Sequence, residues 1–179
     1  MMTDAVLFGA TWIALNTGHW VMDYWGQKSE WAANKGRHGN RYENRVGAIA
    51  CAKHVGVYTA GTAVLVMVTA LLLNLPLSPA GLVLGQAVSA GTHYWADRRF
   101  TLRGLAERTG NGGFWTVGAP RSGAQVVLAQ PNGTFRREED GSPMVVDLDN
   151  AVLGTGAHQL DQSWHRFWLF IAALITALV

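Results

Sequence analysis

Thr3 to Trp25 reads TDAVLFGATWIALNTGHWVMDYW, an apolar run near the roughly 20 residues that a bilayer core requires. His19 and Asp23 stand near its end. On an α-helix, positions i and i+4 lie on one face, so these two side chains can address one ligand. Such a pair is expensive in lipid and marks a functional site. The same spacing returns in His93 with Asp97 and in Asp161 with His165, and another apolar stretch carries His54 with Tyr58 one turn further along the same face.

Working outward, apolar stretches at about residues 3–25, 46–75, 79–97 and 157–179 predict four transmembrane helices. Composition agrees: 49% hydrophobic against 15% charged in 179 residues is apolar for a soluble domain, and the length suits a single one. No basic residue precedes the first apolar run and no small-residue cleavage site follows it, so it reads as retained rather than as a signal peptide. Cys51 is the only cysteine, which excludes an intrachain disulfide and a thiolate zinc cluster and leaves it the role of a small buried hydrophobe.

The fourteen basic residues fall between helices one and two, between three and four, or just inside the adjoining spans. The link 74–78 and both termini carry none. The positive-inside rule then predicts a multi-pass protein of the cell membrane, with both long loops cytoplasmic and both termini outside. With spans alternating in this way, His19/Asp23, His54, His93/Asp97 and Asp161/His165 all fall at the cytoplasmic membrane level, which points to one shared site. His38, in a glycine-rich loop, reads as solvated. Gln27 and Gln162 adjoin the pairs as donors to them, and Lys53 and Arg166 read as snorkelling to the headgroups.

Local signals refine the boundaries. Ser78 before Pro79 is an N-cap followed by proline at the first helical position, which starts helix three. Residues 27–33 extend helix one along the membrane surface, with Trp25 and Trp31 at headgroup level. The insertion 104–156 differs in character. Strand-like segments at 125–129 and 144–148, with turns at Pro131-Asn132-Gly133 and Asp140-Gly141, predict a small cytoplasmic β-hairpin between helices three and four. Asn132-Gly133-Thr134 fits a glycosylation sequon that a cytoplasmic loop would not use. Gly154-Thr155-Gly156 reads as an entry turn to helix four, since no Walker lysine follows it.

Imidazoles and carboxylates together suit a divalent metal such as Zn, Mn, Fe or Co. The expected ligands are His19, Asp23, His54, His93, Asp97, Asp161 and His165. They exceed what one tetrahedral ion uses, so some orient the others or the set holds two ions sharing a bridging carboxylate. An open coordination position would generate hydroxide near neutral pH.

His19-Trp20-Val21-Met22-Asp23 with Gln27, Ala52-Lys53-His54 with Tyr58, Thr92-His93-Tyr94-Trp95-Ala96-Asp97-Arg98-Arg99, and Leu153-Gly154-Thr155-Gly156 leading to Leu160-Asp161-Gln162-Ser163-Trp164-His165 resemble a family of uncharacterised small integral-membrane proteins of actinobacteria, their phages and integrative mobile elements. Members are sometimes labelled automatically as transcriptional regulators. The resemblance covers nearly the whole chain apart from about 125–150, where the loop is longer than the family's usual one. It implies membrane location and a mobile-element context but no established activity.

Three functions are open at this stage. The first is a metal-dependent membrane hydrolase acting on a phosphoester, amide or lipid-linked bond, with Arg98 and Arg99 holding an anionic substrate. The second is a non-enzymatic membrane factor of a mobile element, for conjugative spread or exclusion, in which the polar cluster fastens the bundle. The third is a proton- or metal-coupled transporter, for which four helices make a thin unit unless the chain forms a homo-oligomer. Membrane lipid is the expected surrounding. A net charge of +2, with basic residues explained by topology, argues against a nucleic-acid partner.

Overall fold

The computed structural model describes residues 2–118, 125–127, 137, 139, 145–147 and 155–179. Among the described residues the fold is all-α apart from one short ladder and a bridge residue at Arg137. In chain order it runs α1 (Met2–Val21), a π-helical turn (Met22–Gly26), α2 (Ser29–Asn34), α3 (Arg41–Leu72), α4 (Pro79–Asp97), α5 (Phe100–Arg108), α6 (Gly112–Trp115), β1 (Gln125–Val127), β2 (Val145–Asp147) and α7 (Gly156–Leu178). The four long helices close a ring in which α1 and α4 each pack against both α3 and α7. Ala14, Leu15, Val66, Leu169, Ala172 and Ala173 form an apolar core away from the His/Asp end.

Helix ends follow from capping chemistry. Ser78 accepts from the Gly81 amide at 3.3 Å ahead of Pro79, as that pair predicts. Asn40 accepts from the Glu43 amide at 2.9 Å and starts α3 at Arg41, earlier than the apolar run alone implies. Thr155 caps α7. The α4–α7 contact depends on small residues: a Cβ on Gly81 would lie 2.6 Å from the Thr176 carbonyl oxygen, and one on Gly85 2.8 Å from that of Ala172. Gly81 and Gly85 thus form a GxxxG approach of the kind that brings helices together in membranes.

Several expectations are corrected. Helix one does not run on through 27–33. It ends at Val21, winds through the π turn, and stops where Gln27 and Lys28 are extended, so α2 is a separate helix. The insertion begins with α5 and α6, which a reading that ended the helix at Asp97 missed; Leu102 and Ala106 are the buried residues of α5. β1 pairs antiparallel with β2, Val126 opposite Val146. The predicted turns at 131–133 and 140–141, the sequon and Gly154 lie outside the described residues.

Among the described residues one helix, α3, is long and apolar enough to cross a membrane by length and composition, against four expected. Polar residues dilute the other three: Asn16, Thr17 and His19 in α1, Gln86, Ser89, Thr92 and His93 in α4, His158 to His165 in α7. Many of these face inward. Meanwhile large apolar side chains face outward on every long helix, with Ile13 at 66% exposure, Leu71 at 79%, Val83 at 65% and Phe167 at 56%.

Candidate metal centre

The end of α1, the first half of α3, the end of α4 and the start of α7 meet at one end of the ring. All seven expected ligands gather there. His19, His54, His93, Asp97 and His165 are at most 3% exposed, Asp23 is 9% exposed, and Asp161 is half-buried.

The geometry centres on His54 and His93, whose Nε2 atoms lie 3.0 Å apart. Asp97 Oδ2 is 3.2 Å from His54 Nε2 and 3.3 Å from His93 Nε2, while Asp23 Oδ1 is 3.2 and 3.3 Å from the same two atoms. Two triangles therefore share the His54–His93 edge, with a carboxylate oxygen at each apex. A tetrahedral ion with ligand distances of about 2.0–2.1 Å sets neighbouring ligands about 3.3–3.4 Å apart, so each triangle has the dimensions of one face of such a site.

The remaining ligands flank this core. His19 Nε2 is 3.6 Å from Asp23 Oδ2, and Asp161 Oδ2 is 3.6 Å from His165 Nδ1. The His165 Nδ1 atom lies 2.8 Å from the Asp161 carbonyl oxygen, which leaves its Nε2 as the buried ring nitrogen without a hydrogen-bond partner. Unpaired buried nitrogens are uncommon and call for an explanation. Three overlapping groups have donor atoms close enough to hold an ion: His19, Asp23 and His93; His54, His93 and Asp97; and Asp97, Asp161 and His165.

Gln162 and Gln27 support the site as expected of them. Gln162 Oε1 is 3.2 Å from His19 Nε2 and its amide donates to Asp161 Oδ2 at 3.3 Å. The Gln27 amide donates to the Asp23 carbonyl oxygen in the π turn, where wider winding alters the usual ladder.

Lys35 is the residue that sequence reasoning missed. Its Nζ donates to Asp97 Oδ2 at 2.9 Å and the residue is 7% exposed. Burial alone would lower its pKa, but the charges of Asp97, Asp23 and Asp161 and the hydrogen bond to Asp97 together outweigh that and raise it. Within a basic loop, topology already accounted for a lysine; its place at the end of a helix as short as α2 was the signal available. Formally, Asp23, Asp97 and Asp161 against Lys35 leave two negative charges when the imidazoles are neutral, which one divalent cation balances.

Other expected roles move. Arg98 donates to the Arg37 carbonyl at 2.9 Å and to Asn44 Oδ1 at 2.7 Å, and Arg99 to the Ala32 carbonyl at 3.1 Å, so both tie the end of α4 to the α2–α3 corner, with Arg99 exposed. His38 is exposed and stacks on Phe100. Beyond the cluster, Tyr58 and Ser89 hydroxyls lie 2.9 Å apart and Thr62 donates to Gln86 at 3.0 Å, a buried polar column running deeper between α3 and α4.

Comparison with known protein families, with curated proteins and with solved structures finds no match to this chain.

Proposed function

We propose that the chain is a multi-pass protein of the cell membrane, with long loops cytoplasmic and termini outside, whose four long helices hold one or two divalent ions at the cytoplasmic membrane level and use them for hydrolysis. The observation that carries the metal reading is the pair of ligand-sized triangles on His54 and His93, capped by Asp97 and Asp23. Membrane location is supported by the arrangement of polarity, since histidines, threonines and glutamine are buried while Ile13, Leu71, Val83 and Phe167 face outward on four different helices. An apolar exterior of that extent in water would be an association surface; in lipid it needs no partner. The resemblance to small membrane proteins of mobile elements points the same way.

Hydrolysis is favoured over transport because beyond Thr62 and Gln86 the Leu15, Val66 and Leu169 core fills the interior, with Thr11 and Thr176 the buried polar side chains there among the described residues. A non-enzymatic factor is the second reading, favoured by the buried Lys35–Asp97 ion pair, which fastens the α2 region to α4.

Elemental analysis of the purified chain, before and after reconstitution with Zn, Mn, Fe or Co, tests the metal. Stoichiometric metal in the wild type and little in Asp97→Ala is expected. Metal-free protein after reconstitution overturns the reading.

A further inference from the structure

Between the end of α1 and the first turns of α7 lies a cavity of about 400 Å³ lined by Trp20, His158, Gln159, Gln162, Ser163 and Arg166. Among the described residues its lining supplies a guanidinium, an imidazole, two carboxamides and a hydroxyl, and no carboxylate. Gln162 belongs both to this lining and to the cluster. It is 7% exposed, with its Oε1 3.2 Å from His19 Nε2, so one side chain separates the cavity from the candidate metal ligands.

Among the described residues Arg166 is the cation of that lining, and it is exposed. Its guanidinium lies over the Trp20 ring at 5.6 Å, and among the described residues it has no carboxylate partner. Stacking on an aromatic face leaves the N–H edge of a guanidinium available for paired hydrogen bonds. Arg98 and Arg99, the other arginines placed to serve an anion here, are committed to main-chain oxygens.

We propose that this cavity binds the phosphate group of the protein's substrate, with Arg166 as the recognising residue and Gln162 between the bound phosphate and the metal ligands. The lining offers the guanidinium of Arg166, the imidazole of His158 and the amide of Gln159, with the Gln162 amide already shared with Asp161, a donor set suited to a phosphoryl group. Trp20 at the rim, 40% exposed and stacked on Tyr24 at 5.4 Å, gives the mouth an aromatic edge of the kind that sits at headgroup level. That edge admits either a lipid headgroup or a soluble phosphate ester. Calling the ligand a substrate rests on the hydrolase reading; the phosphate site itself does not.

The test uses the full chain in nanodiscs of phosphatidylcholine, with wild type, Arg166→Gln and Arg166→Lys compared. Inorganic phosphate is titrated by calorimetry, and in separate discs part of the phosphatidylcholine is replaced by phosphatidate while the melting temperature is followed. Losing a charge-assisted hydrogen bond should weaken binding at least about tenfold in Arg166→Gln, with Arg166→Lys between. An Arg166-dependent response to inorganic phosphate supports the site with a soluble source; one to phosphatidate alone supports it with a lipid source. No response to either probe, or equal responses in wild type and Arg166→Gln, overturns it. Metal content of the same samples separates the two readings: metal present without Arg166-dependent binding removes the phosphate site alone, and Arg166-dependent binding without metal removes the hydrolase alone.

Discussion

Asp97 Oδ2 faces three nitrogens at once, Lys35 Nζ at 2.9 Å and the two Nε2 atoms of His54 and His93. Removing this carboxylate leaves a buried ammonium unpaired, so Asp97→Ala should lose the metal and about 3–5 kcal/mol of stability. In Asp97→Ala/Lys35→Met the stability should largely return while the metal does not, because the stranded charge has gone but the ligand has not come back. Denaturant melts with elemental analysis read both; equal instability of single and double variants would show that the pair is not coupled. His54→Ala should likewise abolish stoichiometric metal and His38→Ala should leave it intact, since His38 touches Phe100 and the Gly36 carbonyl at the surface, away from the cluster. At this scale the histidines and aspartates were legible in the sequence because of their i,i+4 spacing within apolar stretches. Lys35 was not, since a lysine in a loop expected to be cytoplasmic needed no further explanation than the expected topology.

Helix α4 carries His93 and Asp97 at one end and meets α7 through Gly81 and Gly85 near the other. Gly85→Val places a side chain against Ala172 and Thr176, a clash that should cost at least about 1–3 kcal/mol and loosen the helix that positions two of the seven expected ligands. Metal content should therefore fall together with the melting temperature. Gly91 is exposed on the same helix with nothing near its would-be Cβ, so Gly91→Ala should be neutral or gain up to about 1 kcal/mol of helix stability. A stable, fully metallated Gly85→Val protein would mean that α4 and α7 are not held as described. The four long helices could be read from apolar length and from Ser78-Pro79. The α1–α2 break could not, because π and α winding draw on the same residues and only the positions of Gln27 and Lys28 in three dimensions reveal where the helix gives way.

For the whole molecule, polarity is turned inward and apolar surface outward around a closed ring of helices. In a Cys51→Ala background, Pro76→Cys should react with a membrane-impermeant thiol reagent in intact cells, and Glu139→Cys only after permeabilisation. The reverse pattern would invert the proposed topology, and labelling of both in intact cells would remove it. Because a folded site binds the ion and an unfolded chain does not, saturation at a hundredfold above Kd should add about 2.7 kcal/mol of stability, lost on chelation. A melting temperature indifferent to chelator would separate the cluster from metal altogether. That the four polar positions meet at one end of the ring was legible from their places at the ends of the apolar stretches. The cavity beside Arg166 was not, since it exists only where α1 and α7 fail to close on one another.

The wide turn at Met22–Gly26 holds Asp23 at one apex of the candidate metal centre. A π turn accommodates one residue more than the α-helical turn it replaces, so a single codon separates this turn from α winding. An in-frame deletion of Tyr24 would tighten the turn and swing Asp23 off the apex it shares with His54 and His93, while the extended Gln27 and Lys28 would still end the helix. Two chains alike in every other residue but differing there by one in length would differ in whether the centre is complete.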